Sequence, residues 1–239
     1  MSMLVVKNLT KRFGGFTALE SINISIGAGE RIGLIGPNGS GKSTLVNCIS
    51  GVLPVSDGSV HFDGDNITHL PPHRRTQLGI GRTFQIPKPF ESMSTLQNVC
   101  IPLEYAARYG NHGEALPDRA QQILADLDLR SKADLLPEGL TQIDLRKLEL
   151  ARAIAIRPKL LIADEVMAGL AGAEIDEVLG LLQRLGKSGI AIIMIEHIMH
   201  AVMEFSERMI VLNTGKVIAD GAPDDVINDA IVEQVYLGE

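Results

Sequence analysis

GPNGSGKST, at residues 36–44, is the stretch on which the fold turns. It fits G-x-x-x-x-G-K-[ST], with Gly36, Pro37, Asn38, Gly39, Ser40, Gly41, Lys42 and Ser43 in the eight positions and Thr44 following. Context matters as much as the pattern. ERIGLIG at 30–36 predicts a strand entering the loop, and a helix is expected from Lys42 to about Ser50. In that setting the glycines let backbone N–H groups turn inward on phosphate oxygens, and the helix start adds partial positive charge. Lys42 is expected to reach the β and γ phosphates of a nucleotide, and the Ser43 hydroxyl to ligate Mg²⁺. A flexible glycine loop is the plainer account of the string, but it leaves the flanking strand and helix unexplained.

A second apolar run, LLIADE at 160–165, ends in two carboxylates. That ending places Asp164 beside a metal ion and Glu165 where it polarises water, so Asp164 is expected to support Mg²⁺ and Glu165 to act as general base. Alone the signal is weak, because strands often end in acids; downstream of a phosphate loop it is strong. His197 and His200 have helical spacing, but no third ligand accompanies them, so a transition-metal pair is not supported.

Outward from these motifs the chain alternates. Strands are expected at 3–7 and 18–25, then a hairpin strand SVHFDG, a helix opening at Pro71-Pro72 and a short strand ending at Phe84-Gln85. From about 86 to 140 helical spacing dominates, in STLQNVCIPLEYAARY and PDRAQQILADLDL, as an inserted lobe would show. After Arg157-Pro158 come KLLIADE, a helix at 173–186, GIAIIMIE, a helix near 197–204, and RMIVLN turning into KVIADG. Strands alternating with helices imply an α/β fold with a largely parallel, buried sheet.

Composition narrows the function. With 239 residues, 45% of them hydrophobic, the chain is long enough for one large domain and its core. A net charge of −7 and the lack of a basic block argue against broad nucleic-acid binding. GIAIIMI, the longest uncharged apolar run, is far short of the roughly 20 residues that span a bilayer. No secretory signal opens the chain, and Cys48 and Cys100 lack CxxC or Cys/His spacing, so free thiols in a cytosolic protein are expected.

Taken in order, the set resembles the nucleotide-binding subunit of an ABC transporter. Gln85 in RTFQ matches that family's Q-loop, His197 in IEHIM its switch histidine, and Phe13 in KRFGG the aromatic that stacks on adenine. The resemblance implies a P-loop NTPase core (1–85 and 158–239) with an antiparallel β subdomain, and a helical lobe at about 86–157, all in one domain. It implies ATP and Mg²⁺ as ligands, with Ser43, Gln85 and Asp164 around the metal and Glu165, His197 and Gln85 in catalysis. It also implies a second ATPase subunit, transmembrane permease subunits, an extracytoplasmic solute-binding protein, and a place on the inner face of the cell membrane. ITHLPPHRRTQLGIGRTFQ and the ending VYLGE are similar to the importer ATPases for branched-chain amino acids, in particular the RTFQ-bearing member of their ATPase pair. Urea, amides and lipopolysaccharide export remain open as solutes. A soluble ABC ATPase acting on DNA or ribosomes is the rival class, but such proteins usually add coiled coils, zinc modules or a second cassette. A GTPase would need N-K-x-D, which is missing.

One segment departs from the family. Aligned through RKLELARA, LTQID at 140–144 stands where LSGGQ is usual, with Thr141 at the serine, Gln142 and Ile143 at the glycines, and Asp144 at the glutamine. In the family dimer this segment completes the partner's ATP site. T-x-x-D before an apolar run is also a capping box, so the helix start is expected to be well made while Ile143 and Asp144 spoil its offer to a phosphate. A carboxylate about 8 Å from a phosphate charge costs roughly 2 kcal/mol at an effective dielectric near 20. Ala171, in VMAGLA, stands where the D-loop Asp or Asn is usual. These departures imply an asymmetric heterodimer, in which this chain's ATP is completed by a partner with an ordinary signature. The alternative is that backbone donors and Thr141 suffice.

Overall fold

The quoted loop joins β3 (Arg31–Ile35) to α1 (Lys42–Ser50), as the apolar run and the helix signal require. The computed structural model describes residues 2–109 and 116–237, so the last two residues of VYLGE lie outside it. β3 belongs to a six-stranded sheet with β6 (Ile80–Arg82), β7 (Leu160–Asp164), β8 (Ala191–Ile195), β9 (Arg208–Asn213) and β10 (Lys216–Gly221). Its order is β10-β9-β3-β8-β7-β6, parallel except for the β9–β10 hairpin. β7 and β8 are buried at every position, which is why their sequences are continuous apolar runs.

Both faces of this sheet are covered, and side chains alternate between them. Leu160 and Ile162 join a cluster with α1 and the second sheet, whereas Leu161 and Ala163 join one with the helices. The second sheet is antiparallel, in the order β2-β1-β4-β5, from β1 (Ser2–Phe13), β2 (Phe16–Gly27), β4 (Asp57–Phe62) and β5 (Asp65–Asn66). β1 and β2 run well beyond the expected 3–7 and 18–25, because register shifts let the hairpin stay paired up to the turn at Gly14-Gly15.

α2 (Pro72–Leu78) precedes β6, and α3 (Thr95–Tyr109), α4 (Leu116–Asp126) and α5 (Gln142–Ile154) follow it. Val99, Leu103, Ile123, Leu124, Leu148 and Leu150 from these three helices share one apolar cluster with the sheet, so the helical region has no separate core. α6 (Ala173–Lys187) and α7 (Met199–Phe205) cover the same face, and α8 (Pro223–Ile227) and α9 (Ala230–Leu237) end the described chain. Two expected boundaries are corrected. The strand before the Q-loop ends at Arg82, short of Phe84-Gln85: β6 is an edge strand, Thr83 makes its last bond to Ile162 O, and Gln85 emerges in a loop. The helix expected near 197 begins at Met199, leaving His197 in the turn after β8.

Candidate active site

Backbone geometry explains the loop's glycines. Gly36 has φ 148, and a Cβ there would lie 2.1 Å from Leu212 O; Gly41 has φ 109, and a Cβ would lie 2.8 Å from Leu19 Cδ2. Gly41 is also the N-cap of α1 and supplies no side-chain cap, so the first-turn N–H groups are left for another acceptor. Lys42 folds back over the loop, donating to Gly36 O at 2.6 Å and Pro37 O at 3.1 Å. Burial pushes its ammonium pKa down, against the pull of Glu165 and Asp164. Ser40 Oγ is buried and makes no hydrogen bond. Uncapped helix donors, a spare hydroxyl and a nearby ammonium fit a polyphosphate.

The sequence-predicted residues converge around this loop. A cavity of about 340 Å³ is lined by Asn38 to Thr44 of the loop together with Phe13, Glu165 and His197. Glu165 is held on both carboxylate oxygens: Gln85 Nε2 donates to Oε2 at 2.6 Å, and His197 Nε2 lies 3.1 Å from Oε1. Its φ of 50 places it in the left-handed region, a strained conformation that aims the side chain off the strand end into the cavity. Gln85 uses its amide nitrogen on Glu165, which leaves its oxygen for a metal. With the Ser43 hydroxyl and Asp164 that donor set is all oxygen and suits a hard cation. Asp164 already carries a partner, since Arg82 Nη2 donates to its Oδ2 at 2.8 Å.

Several residues the motifs did not flag complete the arrangement. Phe16 lines the cavity beside Phe13, its cross-strand neighbour. Thr83 Oγ1 accepts from the Asp164 N–H at 3.0 Å. Glu196 is buried and accepts from the Met167 N–H at 2.8 Å. Burial raises its pKa to about 7, and the nearby Glu165 charge adds to the rise. The carboxylate immediately before His197, at the end of an apolar strand, was the available signal.

Thr141 is not brought to this cavity; it starts α5. The expected capping box is present: Thr141 Oγ1 accepts from the Asp144 N–H at 3.4 Å, and the Thr141 N–H donates to Asp144 Oδ2 at 3.0 Å. The electrostatic expectation is corrected. Lys132 Nζ sits 2.5 Å from Asp144 Oδ2, so the buried carboxylate is half of an ion pair and the repulsion of roughly 2 kcal/mol does not stand. Burial alone would raise the Asp144 pKa, but hydrogen bonds from Lys132 and Thr141 outweigh it and hold it below the usual range. Gln142 reaches the D-loop segment, its Nε2 being 2.3 Å from where a Cβ on Gly169 would lie. The two segments that depart from the family therefore touch.

Fold and site together define an ATP-binding protein of the phosphate-loop class. A family model described as ABC transporter matches residues 19–168. The probable branched-chain amino acid transport ATP-binding protein LivG of Archaeoglobus fulgidus is 37% identical over 247 residues, covering 100% of this chain and 96% of the relative. The lipopolysaccharide export system ATP-binding protein LptB of Escherichia coli is 31% identical, covering 100% of this chain and 98% of that one. Among solved structures, the ADP conformation of MJ1267, an ATP-binding cassette of an ABC transporter, matches with a TM-score of 0.90 at 33% identity, over 100% of both chains. The chain belongs to the ABC transporter family, as one of its ATP-hydrolysing subunits. No helix among the described residues is long and apolar enough to cross a membrane.

Proposed function

We propose that this chain binds and hydrolyses ATP to drive a branched-chain amino acid importer. The observation that carries the reading is Glu165, held between Gln85 and His197 at the mouth of the phosphate-loop cavity. There it takes a proton from a water attacking the γ-phosphate, His197 steadies its other oxygen, and Lys42 and the α1 N–H groups hold the phosphates. Ser43, Asp164 and Gln85 would hold Mg²⁺, which would supply neutralisation of the phosphate charge. Phe13, half exposed, stacks on the adenine.

The partners follow from the family and from surface chemistry. A groove of about 370 Å³ runs between Pro72, Phe84, Phe90, Tyr105 and Arg152, with Ile86 exposed nearby, and it receives the permease subunits at the inner face of the membrane. The segment at about 86–157 acts as the lobe that carries closure to them. A second ATPase subunit with an ordinary signature completes this chain's site in a heterodimer, and a solute-binding protein delivers the amino acid outside. The relative LivG of Archaeoglobus fulgidus, a probable branched-chain amino acid transport ATP-binding protein, supports that solute.

Two measurements test this. Purified protein is expected to bind fluorescent ATP, and Lys42→Ala to lose it; a chain that never binds adenine nucleotide refutes the reading. In mixed dimers, Glu165→Gln in this chain is expected to remove most ATPase activity, and the matching change in the partner little; equal losses refute the asymmetry. The relative LptB supports a second reading, lipopolysaccharide export. Co-purified permeases that take up labelled leucine in proteoliposomes favour import; lipopolysaccharide release favours export.

A further inference from the structure

A larger cavity, of about 500 Å³, opens between α4 and α6 and shares no residue with the phosphate-loop cavity or the groove at Phe84. Its place follows from where the chain turns. α5 ends at Ile154, and Arg157, with φ 54, and Pro158 redirect the backbone toward β7, so the helix stops short of the space between its neighbours. Ile123 and Leu127 of α4, Leu181 and Leu185 of α6, Ile154 and Ile190 give that space apolar walls.

The charged residues that line it are mostly of one sign. Arg119, Arg157 and Arg184 accompany a single carboxylate, Asp126, in a chain whose net charge is −7. Arg119 Nε is buried and has no hydrogen-bond partner among the described residues, so an acceptor is wanting at that point. The Arg184 guanidinium lies 4.0 Å from Asp128, and with both side chains more than half exposed that pair contributes little and leaves Arg184 able to take another anion. Apolar walls with guanidiniums beside them fit an amphiphile that ends in an oxyanion: the forked N–H groups of arginine match a carboxylate, and the walls take its chain. Asp126, whose Oδ1 accepts from Gln122 Nε2 at 2.7 Å, discriminates between oxyanions. It repels a dianionic phosphate about twice as strongly as a monoanion.

We propose that this cavity is a binding site for an organic monocarboxylate with an apolar chain, held by Arg119 and Arg184 and separate from the nucleotide. The test titrates decanoate into the full chain by calorimetry, with decylamine and decyl phosphate as controls of charge. Decanoate is expected to bind at one site, decylamine not to bind, and decyl phosphate to bind more weakly. The methyl NMR signals of Ile123, Ile154 and Ile190 are expected to shift as decanoate is added. Arg119→Met and Arg184→Met each remove a guanidinium but keep an unbranched apolar side chain, and are expected to weaken decanoate about tenfold or more. Arg119→Lys keeps the charge without the fork, and is expected to fall between. Arg184 is exposed, so its variant is expected to unfold in urea as the native chain does, which makes its loss of binding local. No decanoate binding, equal affinity for decylamine, decyl phosphate bound as tightly or more tightly, or arginine variants that bind decanoate as the native chain does would each overturn the site.

Discussion

Two helix starts in this molecule face opposite tasks, and the contrast lies in how each is capped. α1 begins at Gly41, which offers no side chain to its first-turn N–H groups, with Lys42 and an unpartnered Ser40 hydroxyl beside them. α5 begins at Thr141, whose capping box with Asp144 is itself tied to Lys132. An uncapped start keeps its donors for a ligand, whereas a capped start has spent them on its own stability. On the proposed reading, the half of the site serving this chain's own nucleotide is thus built to bind, and the half offered to a partner is built to hold its shape.

The sharpest break of this contrast is Lys42→Ala. It removes charge-assisted contacts to two phosphates, so ATP affinity is expected to fall by about 3 kcal/mol, more than a hundredfold in Kd. Thr141→Ala is expected to leave that Kd unchanged. Equilibrium binding of labelled ATP to both variants decides it, and equal losses would mean that α5 serves its own chain's nucleotide.

The second break uses pH, because the two halves carry buried carboxyls shifted in opposite directions. Glu196 has a folded pKa of about 7, above its ordinary value of 4.5, so the folded state binds more protons between those values and stability falls as pH rises through them. Glu196→Gln removes that loss and is expected to stabilise the protein at pH 8 by up to about 3 kcal/mol, less whatever its hydrogen bond to Met167 contributed. Asp144 is shifted down, so its contribution is present above the ordinary carboxylate range and lost as pH falls through its folded pKa. Urea unfolding at pH 5 against pH 8 reads the Glu196 sign, and unfolding at pH 5 against pH 3 reads the opposite sign of Asp144. A Glu196→Gln variant with the native pH slope would show that this carboxyl does not titrate as placed.

What the sequence made legible divides along the same line. GPNGSGKST, LLIADE and LTQID are local: spacing and residue type state their chemistry, and α1, the Glu165 position and the capping box are found where those strings put them. What escaped depends on residues far apart in the chain. Lys132 neutralises Asp144 from twelve residues upstream, through a short helical turn that no motif marks. Arg82 pairs with Asp164 across 82 residues, and Arg146 reaches Gln85 across 61. An arginine or lysine in a helical or strand pattern reads as a solvated charge until the fold shows which buried acceptor it meets. β1 and β2 were underestimated for a related reason, since pairing across Gly14-Gly15 extends strands beyond their apolar alternation.

The two smallest effects belong to α5. Thr141→Ala deletes a cap and is expected to cost about 1 kcal/mol in urea unfolding. Lys132→Met is subtler, because Asp144 keeps its bonds to Thr141 but loses its counter-charge. The freed carboxylate then faces a partner's nucleotide with a bare repulsion of roughly 2 kcal/mol, which salt at the physiological Debye length of about 8 Å reduces to below 1 kcal/mol. ATP affinity at the partner's site is therefore expected to fall about threefold at ordinary ionic strength and more at low salt, while this chain's own site keeps its affinity. Asp144→Asn in the same background should restore the partner's affinity. If Lys132→Met leaves the partner's site untouched at every salt concentration, then α5 does not face a neighbouring nucleotide, and the difference between the two helix starts is one of stability alone.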